Sequence, residues 1–254
     1  MGAVVHAVEI SGLLVTGTDT GVGKTVVAGA IARWLKGDGR RVAVCKPVAT
    51  GCVHRREGLV SEDAEFLAHC ADAPHPLDLV CPQRYREPLA PGVAAQREGR
   101  PVDWESINRA IALMCRDSDF MVVEGVGGVM TPIDERHTFL DIAAGLGLPA
   151  VVVARAGLGT INHTLLTLWA LRSRGVSTAG VVINRYPADT PPLAEETNPR
   201  AIEKWGRVPV LCIVPESEMP RSPRQSPIPG AIASAIGTVD WTALGAKQKP
   251  GLRA

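Results

Sequence analysis

The chain has 254 residues, of which 46% are hydrophobic and 21% are charged. This length and composition predict one globular domain over residues 1–254, with a substantial buried core. Lysine and arginine together number 27, and aspartate and glutamate together number 26. Because the charges nearly balance, we expect neither a nucleic-acid partner nor a membrane partner. No apolar run approaches the roughly 20 residues of a membrane-spanning helix, so a soluble protein is predicted.

The cysteines are scattered along the chain, with no C-x-x-C pair and no secretory signal ahead of them. Disulfides are rare in the reducing cytosol, and such scattered cysteines are typical of free thiols. We therefore predict a cytoplasmic protein with unpaired cysteines. They are Cys45, Cys52, Cys70, Cys81, Cys115 and Cys212.

Short runs rich in valine and isoleucine alternate with longer amphipathic stretches. This alternation is typical of βα units whose parallel sheet is buried on both faces. We predict an α/β fold with a mostly parallel central sheet and helices on both faces. The predicted strands are Gly12–Thr16, Arg41–Lys46, Phe120–Glu124, Ala150–Ala154, Ala179–Asn184 and Val210–Val214. The predicted helices are Lys24–Lys36, Ser61–Cys70, Trp104–Arg116, Thr138–Gly145, Asn162–Arg174 and Leu193–Trp205.

Polar residues and proline-rich regions add local predictions. Asp103 and Asn162 each precede a helical apolar pattern, so both are predicted helix N-caps. The stretch Tyr85–Pro101 contains several prolines and glycines and is predicted to be a surface excursion. Residues 217–254 contain a proline cluster and end in a polar segment, which predicts a loosely packed C-terminal tail.

The segment Gly17–Thr25 leads from an apolar strand through a glycine-containing turn into a helix. Gly21 and Gly23 can adopt backbone angles that aim N–H groups inward, and the helix adds its positive N-terminal end. Lys24 can then reach the β- and γ-phosphates of a nucleotide, and the Thr25 hydroxyl can ligate a bridging Mg²⁺. This context predicts a P-loop NTPase-like fold; the alternative is a glycine-rich strand-to-helix turn with a capping threonine.

The loop departs from the usual G-x-x-x-x-G-K-[S/T] pattern, because Thr18 stands where that pattern has its first glycine and the glycine is displaced to Gly17. A second departure is Asp19, which stands where partition-type ATPases carry a signature lysine. This second difference argues against the membrane or filament cycling of those ATPases.

Three further charged residues are candidates for the same site. Glu124 ends a predicted strand and precedes a glycine run, at the sheet edge where open α/β folds bind ligands. Asp63 opens a predicted helix, where an acid can ligate a metal or simply stabilise the helix N-terminus. Lys46 ends the second predicted strand and would add a cation beside Lys24. The alternatives are an acid that caps a loop and a lysine that reaches solvent.

Four segments carry a family resemblance: Gly17–Thr25, Lys46–Gly51, Val123–Gly128 and Leu158–His163. Together they resemble dethiobiotin synthetase, whose phosphate loop carries the same unusual threonine and aspartate. The resemblance covers about residues 12–216. It implies a Mg²⁺- and ATP-dependent ligase that joins CO₂ to 7,8-diaminononanoate through a carbamate and closes a cyclic urea, releasing ADP and phosphate.

The resemblance also implies a role for each candidate residue. Lys24 and Lys46 would be catalytic, because they offset the repulsion between a carbamate oxygen and the γ-phosphate. Thr25, Asp63 and Glu124 would hold Mg²⁺. The implied substrate-binding residues are Thr20, Lys46, Thr50, Gly159, Thr160, Ile161 and Asn162. The implied nucleotide-binding residues are Thr18, Asp19, Thr20, Gly21, Val22, Gly23, Lys24, Thr25, Glu124, Asn184, Pro215 and Glu216.

The family is a homodimer in which the neighbouring subunit holds the substrate's carboxylate. The resemblance places that site at Gly159–Asn162, where free N–H groups at a helix start suit a carboxylate. Two residues depart from the family pattern. Gly21 replaces an acid found in some relatives, and Thr50 stands where the family often has serine.

Two other functions compete with this hypothesis. An amidotransferase-type synthetase shares a similar loop, but such enzymes append a glutaminase domain for which this chain has no room. A regulatory or partitioning NTPase would switch partners instead of making a metabolite. The absence of the signature lysine at Asp19 speaks against that second alternative.

Overall fold

The computed structural model of the protein describes residues 4–56, 58–187, 189, 191–219 and 228–247. The strands are β1 (Ser11–Gly17), β2 (Val42–Cys45), β3 (Val48–Ala49), β4 (Val53–Arg55), β5 (Gly58–Val60), β6 (Gln83–Arg84), β7 (Phe120–Glu124), β8 (Ala150–Arg155), β9 (Thr178–Tyr186) and β10 (Val210–Pro215). The helices are α1 (Lys24–Gly37), α2 (Glu62–Ala71), α3 (Leu77–Val80), α4 (Pro91–Arg97), α5 (Trp104–Arg116), α6 (Phe139–Leu146), α7 (Thr160–Ser173), α8 (Leu193–Gly206), α9 (Gly230–Ile236) and α10 (Trp241–Leu244).

The central sheet has six strands in the order β10-β9-β8-β1-β7-β2, and all its pairings are parallel. Strand β1 lies in the middle, between β7 and β8. Its carboxyl end at Gly17 therefore lies at the same sheet edge as Glu124 of β7 and Arg155 of β8. Ligands of open α/β sheets bind at this edge.

Apolar side chains cover both faces of the sheet. Ile107 and Phe139 belong to the buried cluster on one face, and Ile31, Leu67 and Trp241 belong to the cluster on the other. Helices pack on both faces because each contributes an apolar stripe to one of these clusters. The predicted α/β fold with a mostly parallel central sheet is confirmed.

The six predicted strands and six predicted helices are all present, with bounds that differ by at most two residues. Asp103 is an N-cap as predicted, since its carboxylate accepts a hydrogen bond from the Ser106 N–H at 3.0 Å. The N-cap prediction for Asn162 is wrong. Helix α7 begins at Thr160, because Gly159 takes a left-handed conformation (φ 91°) and starts the helix two residues earlier.

The stretch Tyr85–Pro101 is more ordered than a surface excursion. It contains α4, whose first residue is Pro91, and the Tyr85, Ala94 and Ala95 side chains are buried. Proline is well suited to the first turn of a helix, where no N–H donor is needed. Pro91 therefore starts a helix that packs on the core.

The C-terminal residues 228–247 contain α9 and α10, and the prediction of a loosely packed tail is wrong for them. Ile232 and Trp241 are buried, and the Trp241 indole N–H donates to the last carbonyl of α9 at 2.8 Å. Apolar side chains at helical spacing decide this packing, in spite of the nearby prolines. Residues 220–227 and 248–254 lie outside the described part of the chain.

None of the helices in the described ranges is long and apolar enough to cross a membrane. The six cysteines are unpaired, and five of them are buried.

Candidate active site

The phosphate loop joins the end of β1 to the start of α1. Gly21 (φ 75°) and Gly23 (φ 94°) both have left-handed backbone conformations, which residues with a Cβ rarely adopt. Gly23 is the N-cap of α1, and no side chain caps this helix. The first N–H groups of α1 are therefore available to an anion at the mouth of the loop.

The loop is held in shape by its own residues. The Lys24 ammonium donates to the Asp19 carbonyl at 2.8 Å, and the Asp19 carboxylate accepts from the Thr20 N–H at 2.7 Å. A Cβ on Gly17 would lie 2.8 Å from a Val22 methyl, so only glycine fits there. The backbone of residue 19 thus closes the loop over Lys24, and the Asp19 carboxylate caps the next N–H of the loop.

Lys24 is buried at the base of the loop. Burial lowers the pKa of its ammonium to about 8, although the nearby Glu124 carboxylate acts in the opposite direction. A buried cation of this kind gains stabilisation when an anion such as a phosphate enters the loop.

A cluster of four side chains lies beside the loop, and we call it the carboxylate cluster: Thr25, Lys46, Asp63 and Glu124. The Lys46 ammonium contacts Asp63 Oδ2 at 2.7 Å and Glu124 Oε1 at 2.8 Å. The Thr25 hydroxyl donates to the same Glu124 Oε1 at 2.7 Å. Four residues that lie far apart in the sequence therefore share one site.

Four different elements supply the cluster. Glu124 ends β7, and Lys46 follows β2, the neighbouring strand. Thr25 lies in the first turn of α1, and Asp63 lies in the first turn of α2. Helix α2 is capped by Ser61, whose hydroxyl accepts from the Ala64 N–H at 3.3 Å, so the cap fixes where Asp63 lies.

The charges within the cluster shift one another's pKa values. Burial lowers the pKa of Lys46, but the two carboxylates outweigh this effect and raise it above its usual value. Partial burial raises the pKa of Asp63, but the Lys46 ammonium outweighs this and holds the pKa below its usual range. The pKa of Glu124 is raised because its side chain is entirely buried, and Lys46 only partly offsets that burial.

The cluster fits the ligand requirements of Mg²⁺. The groups in the cluster that can ligate a metal are the Thr25 hydroxyl and the Asp63 and Glu124 carboxylates. All of them bind through oxygen, which a hard cation prefers, and Mg²⁺ is commonly held by one or two carboxylates together with substrate phosphates. The Glu124 Oε2 atom is buried and has no hydrogen-bond partner among the described residues, so one carboxylate oxygen remains for a ligand. No group of three or more histidine, cysteine, aspartate or glutamate residues with metal-site geometry occurs in the parts of the chain that the structure describes.

Asn184 lies beside the phosphate loop at the end of β9. It is buried, and its amide nitrogen donates to the Val22 carbonyl at 2.9 Å. A Cβ on Gly23 would collide with this amide. The predicted base-binding residues Pro215 and Glu216 lie at the end of β10, the neighbouring edge strand. Sequence reasoning missed the contact between Asn184 and the loop, because no local pattern indicates it.

The remaining predicted substrate residues lie at the same sheet edge. Thr20 is exposed at the tip of the phosphate loop, and Thr50 is half-buried just after β3.

The glycine run after β7 also reaches the phosphate loop. A Cβ on Gly128 would lie 3.6 Å from the Thr18 carbonyl oxygen and 3.7 Å from that of Gly17. The structure thus packs this glycine run against the phosphate loop.

The predicted carboxylate site is the start of α7, which follows β8 in the sheet. Gly159 and Asn162 are exposed, Ile161 is half-buried, and Thr160 is buried with its hydroxyl unpartnered. Among the described residues, no hydrogen bond or ion pair joins these four to the carboxylate cluster. Within one subunit, the start of α7 is therefore a separate feature of the sheet edge.

Comparison with known proteins places this arrangement in a family. The model of a family described as an AAA domain matches residues 11–223. The ATP-dependent dethiobiotin synthetase BioD of Anaeromyxobacter dehalogenans is 46% identical over 71% of this chain and 79% of that protein. The corresponding protein of Thermodesulfovibrio yellowstonii is 39% identical over 81% of this chain and 88% of its own length. The chain belongs to the dethiobiotin synthetase family. It is an ATP-dependent ligase of biotin synthesis that acts on small-molecule substrates.

Solved structures resemble this synthetase in fold alone. The MinC:MinD cell division complex of Aquifex aeolicus has a TM-score of 0.59 at 14% identity and covers 96% of this chain and 98% of its own. The cell division ATPase MinD of Pyrococcus furiosus has a TM-score of 0.53 at 20% identity, covering 90% of this chain and 96% of its own. The synthetase therefore shares the fold of P-loop ATPases, and its own chemistry rests on its side chains.

Proposed function

We propose that this ligase catalyses the Mg²⁺-dependent, ATP-driven carboxylation and ring closure of 7,8-diaminononanoate with CO₂, which yields dethiobiotin, ADP and phosphate. The main support is the convergence of two lysines, two carboxylates and a threonine hydroxyl beside the phosphate loop. Such a site suits phosphoryl transfer to an acceptor that is itself anionic. Relatives named dethiobiotin synthetase make the carbamate of this diamine the best candidate for that acceptor.

The proposed reaction has three bond-forming steps. One amine of the diamine bonds to the carbon of CO₂ and loses a proton, which gives a carbamate. A carbamate oxygen attacks the γ-phosphorus, the bond to the β–γ bridging oxygen breaks, and ADP leaves. The second amine then attacks the carbon of the carbamic-phosphoric anhydride and loses a proton, so the urea ring closes as the bond to the phosphate oxygen breaks and phosphate departs. Bound Mg²⁺ supplies charge neutralisation on the β- and γ-phosphates.

The two lysines have separate tasks in this scheme. Residues 18–25 hold the phosphates through backbone N–H groups, and Lys24 contacts the β- and γ-phosphates from the start of α1. Lys46 approaches from the end of the neighbouring strand β2 and lies deep in the site. Together they offset the repulsion between the carbamate oxygen and the γ-phosphate.

The outer residues of the site position the two larger substrates. Thr20 and Thr50 offer hydroxyl groups to the diamine or its carbamate. Asn184 presents an amide to the purine base, with Pro215 and Glu216 on the next strand completing the base site. Asp63, Glu124 and Thr25 hold Mg²⁺ through oxygen atoms.

The substrate's carboxylate is held at Gly159–Asn162 of a neighbouring subunit, so the active form is a homodimer. Two features of α7 support this proposal. Its first N–H groups have no side-chain cap, and such groups suit a carboxylate. Leu166 and Trp169, three residues apart on one helix face, are 58% and 69% exposed. Large apolar side chains exposed together are typical of a protein interface.

The dimer has a direct test in the double variant Leu166→Glu/Trp169→Glu. We expect it to be monomeric at micromolar concentration, because association would bury two carboxylates without partners. Its KM for the diamine should rise by about tenfold or more, since the carboxylate site is then missing. Sedimentation equilibrium and steady-state kinetics measure these two effects. The control is Ala112→Glu, which adds a carboxylate to the exposed face of α5. A double variant that remains dimeric would show that this face is not the interface.

The proposed reaction can be tested by measuring which reactants the enzyme needs in order to release phosphate. Phosphate release should need the diamine, bicarbonate, Mg²⁺ and ATP together, and label from ¹³C-bicarbonate should appear in the ring carbon of the product. This coupling follows from a scheme in which the γ-phosphate has no acceptor until the carbamate forms. Phosphate release at the full rate without the diamine would contradict the synthetase assignment.

We place the enzyme in the cytoplasm, where its six unpaired cysteines are compatible with a reducing environment. We also treat the chain as one synthetase domain, since the C-terminal helices pack against α1 and the central sheet.

A further inference from the structure

Lys46 occupies a specific place within the carboxylate cluster. Its ammonium lies between Asp63 Oδ2 and Glu124 Oε1, at 2.7 Å and 2.8 Å, and both oxygens belong to the proposed Mg²⁺ ligands. We infer that Lys46 and the divalent cation compete for these two carboxylates, so that Lys46 leaves them when Mg²⁺ enters with the nucleotide. The inference rests on the metal site of the proposed function.

Geometry opposes simultaneous binding. Mg²⁺ binds its oxygen ligands at about 2.0–2.1 Å and demands near-octahedral geometry. A cation bound to Asp63 Oδ2 and Glu124 Oε1, the two oxygens that Lys46 contacts, would therefore lie in the space that the Lys46 ammonium fills. The Thr25 hydroxyl points to the same place, since it donates to Glu124 Oε1 at 2.7 Å. An ammonium and a divalent cation at this spacing would repel each other strongly, because little water separates them.

Burial explains why some cation has to be present. The Glu124 side chain is 1% exposed, and leaving a carboxylate so deep in the protein without a counter-charge is costly. Lys46 provides that charge, and its own side chain is 5% exposed. Lys24 does not replace it, because the Lys24 ammonium is bonded to the Asp19 carbonyl. An exchange of one cation for the other keeps Glu124 paired throughout.

The exchange couples metal binding to nucleotide binding. Displaced from the carboxylates, Lys46 needs other anionic partners, and the phosphates of the nucleotide are the nearest that the proposed function supplies. Mg²⁺ on its own brings no such partners, so it binds weakly. Mg²⁺ with a nucleotide brings both the cation for Glu124 and the anion for Lys46. Lys46 thereby reaches the reacting γ-phosphate only after the metal is in place.

The test measures Mn²⁺ binding to the nucleotide-free protein by electron paramagnetic resonance, at a pH of about 8 where carboxylates are ionised. We expect Lys46→Met to bind Mn²⁺ about tenfold or more tightly than the parent, because the competing cation is gone. Lys36→Met is the control, since it removes the same charge from an exposed lysine that pairs with Asp72 and contacts neither carboxylate of the cluster. Its Mn²⁺ affinity should change by less than about threefold.

Two results would overturn the inference. One is an unchanged Mn²⁺ affinity in Lys46→Met. The other is an equal gain in both lysine variants, which would mean that general electrostatics and not direct competition sets the affinity. Lys46→Gln serves as a second variant if Lys46→Met does not fold, because its amide can still donate to the carboxylates without a charge.

A further measurement separates this inference from the proposed function. Mn²⁺ binding in the presence of a non-hydrolysable ATP analogue should weaken in Asp63→Asn, because that carboxylate is a proposed ligand. If Asp63→Asn has no effect, the metal site itself is misplaced. If it has an effect but Lys46→Met does not, only the competition is wrong. Neither measurement depends on turnover of the diamine.

Discussion

Replacement of Lys46 by alanine is expected to lower kcat by about 10²–10³-fold, a far larger effect than the change in the dissociation constant for ATP. The expected split follows from where Lys46 lies. Its ammonium comes from β2 and contacts the carboxylate cluster, whereas the phosphates are held mainly by the loop and by Lys24. Lys46 would therefore act mainly when charge develops between the carbamate oxygen and the γ-phosphate, and contribute less than the loop and Lys24 to binding in the ground state.

Pre-steady-state phosphate release and equilibrium nucleotide binding measure the two quantities separately. The matched control is Lys36→Ala, which removes an exposed lysine that pairs with Asp72 on the surface. It should leave both quantities unchanged, because surface ion pairs contribute little. Since Lys46→Ala also unpairs the buried Glu124, its thermal unfolding should be recorded with the kinetics. Equal kcat in Lys46→Ala and the parent would remove this lysine from the mechanism.

Replacement of Glu124 by glutamine is expected to raise the Mg²⁺ concentration needed for half-maximal activity by about tenfold or more. Glutamine keeps the shape of the side chain but loses the negative charge that a hard cation requires. The buried Oε2 of Glu124, which has no protein partner, would become part of a neutral amide. The ion pair with Lys46 at 2.8 Å would be lost as well, so kcat should also fall.

Magnesium titrations of the steady-state rate, at saturating ATP and diamine, test this second expectation. The control is Glu62→Gln, which neutralises a largely exposed carboxylate next to Asp63 in the first turn of α2. It should leave the titration unchanged, because Glu62 forms an ion pair with Arg55 at 3.8 Å on the surface, away from the carboxylate cluster. A titration of Glu124→Gln that superimposes on that of the parent would assign this carboxylate a structural role.

Both expectations depend on the same property of the fold. Parallel strands deliver their carboxyl ends to one edge of the sheet, so β1, β2 and β7 bring the phosphate loop, Lys46 and Glu124 together. Asp63 completes the cluster from α2, which packs against α1 and β2. The rigid sheet holds the reacting groups in place, and this arrangement is how α/β enzymes place charged groups precisely enough for catalysis.

The sequence by itself determined the α/β fold, the phosphate loop and the family. The spacing of apolar residues along each strand and helix is a local property of the sequence, and the loop motif Gly17–Thr25 is a single contiguous segment. Both can therefore be recognised without knowledge of tertiary contacts. Asp103 was recognised as an N-cap for the same reason. A local signal also gave one wrong prediction, the N-cap at Asn162. The helix has Gly159 as its N-cap and begins at Thr160, so Asn162 lies inside it.

Only the tertiary structure decided which distant residues meet. The contacts of Lys46 with Asp63 and Glu124, and of Asn184 with the phosphate loop, join residues separated by 17 to 162 positions. It also decided that residues 228–247 pack on the core, because a buried Trp241 outweighs a proline-rich neighbourhood. Such contacts depend on how strands are ordered in the sheet and on what each helix covers. These are long-range properties, and no pattern of neighbouring residues contains them.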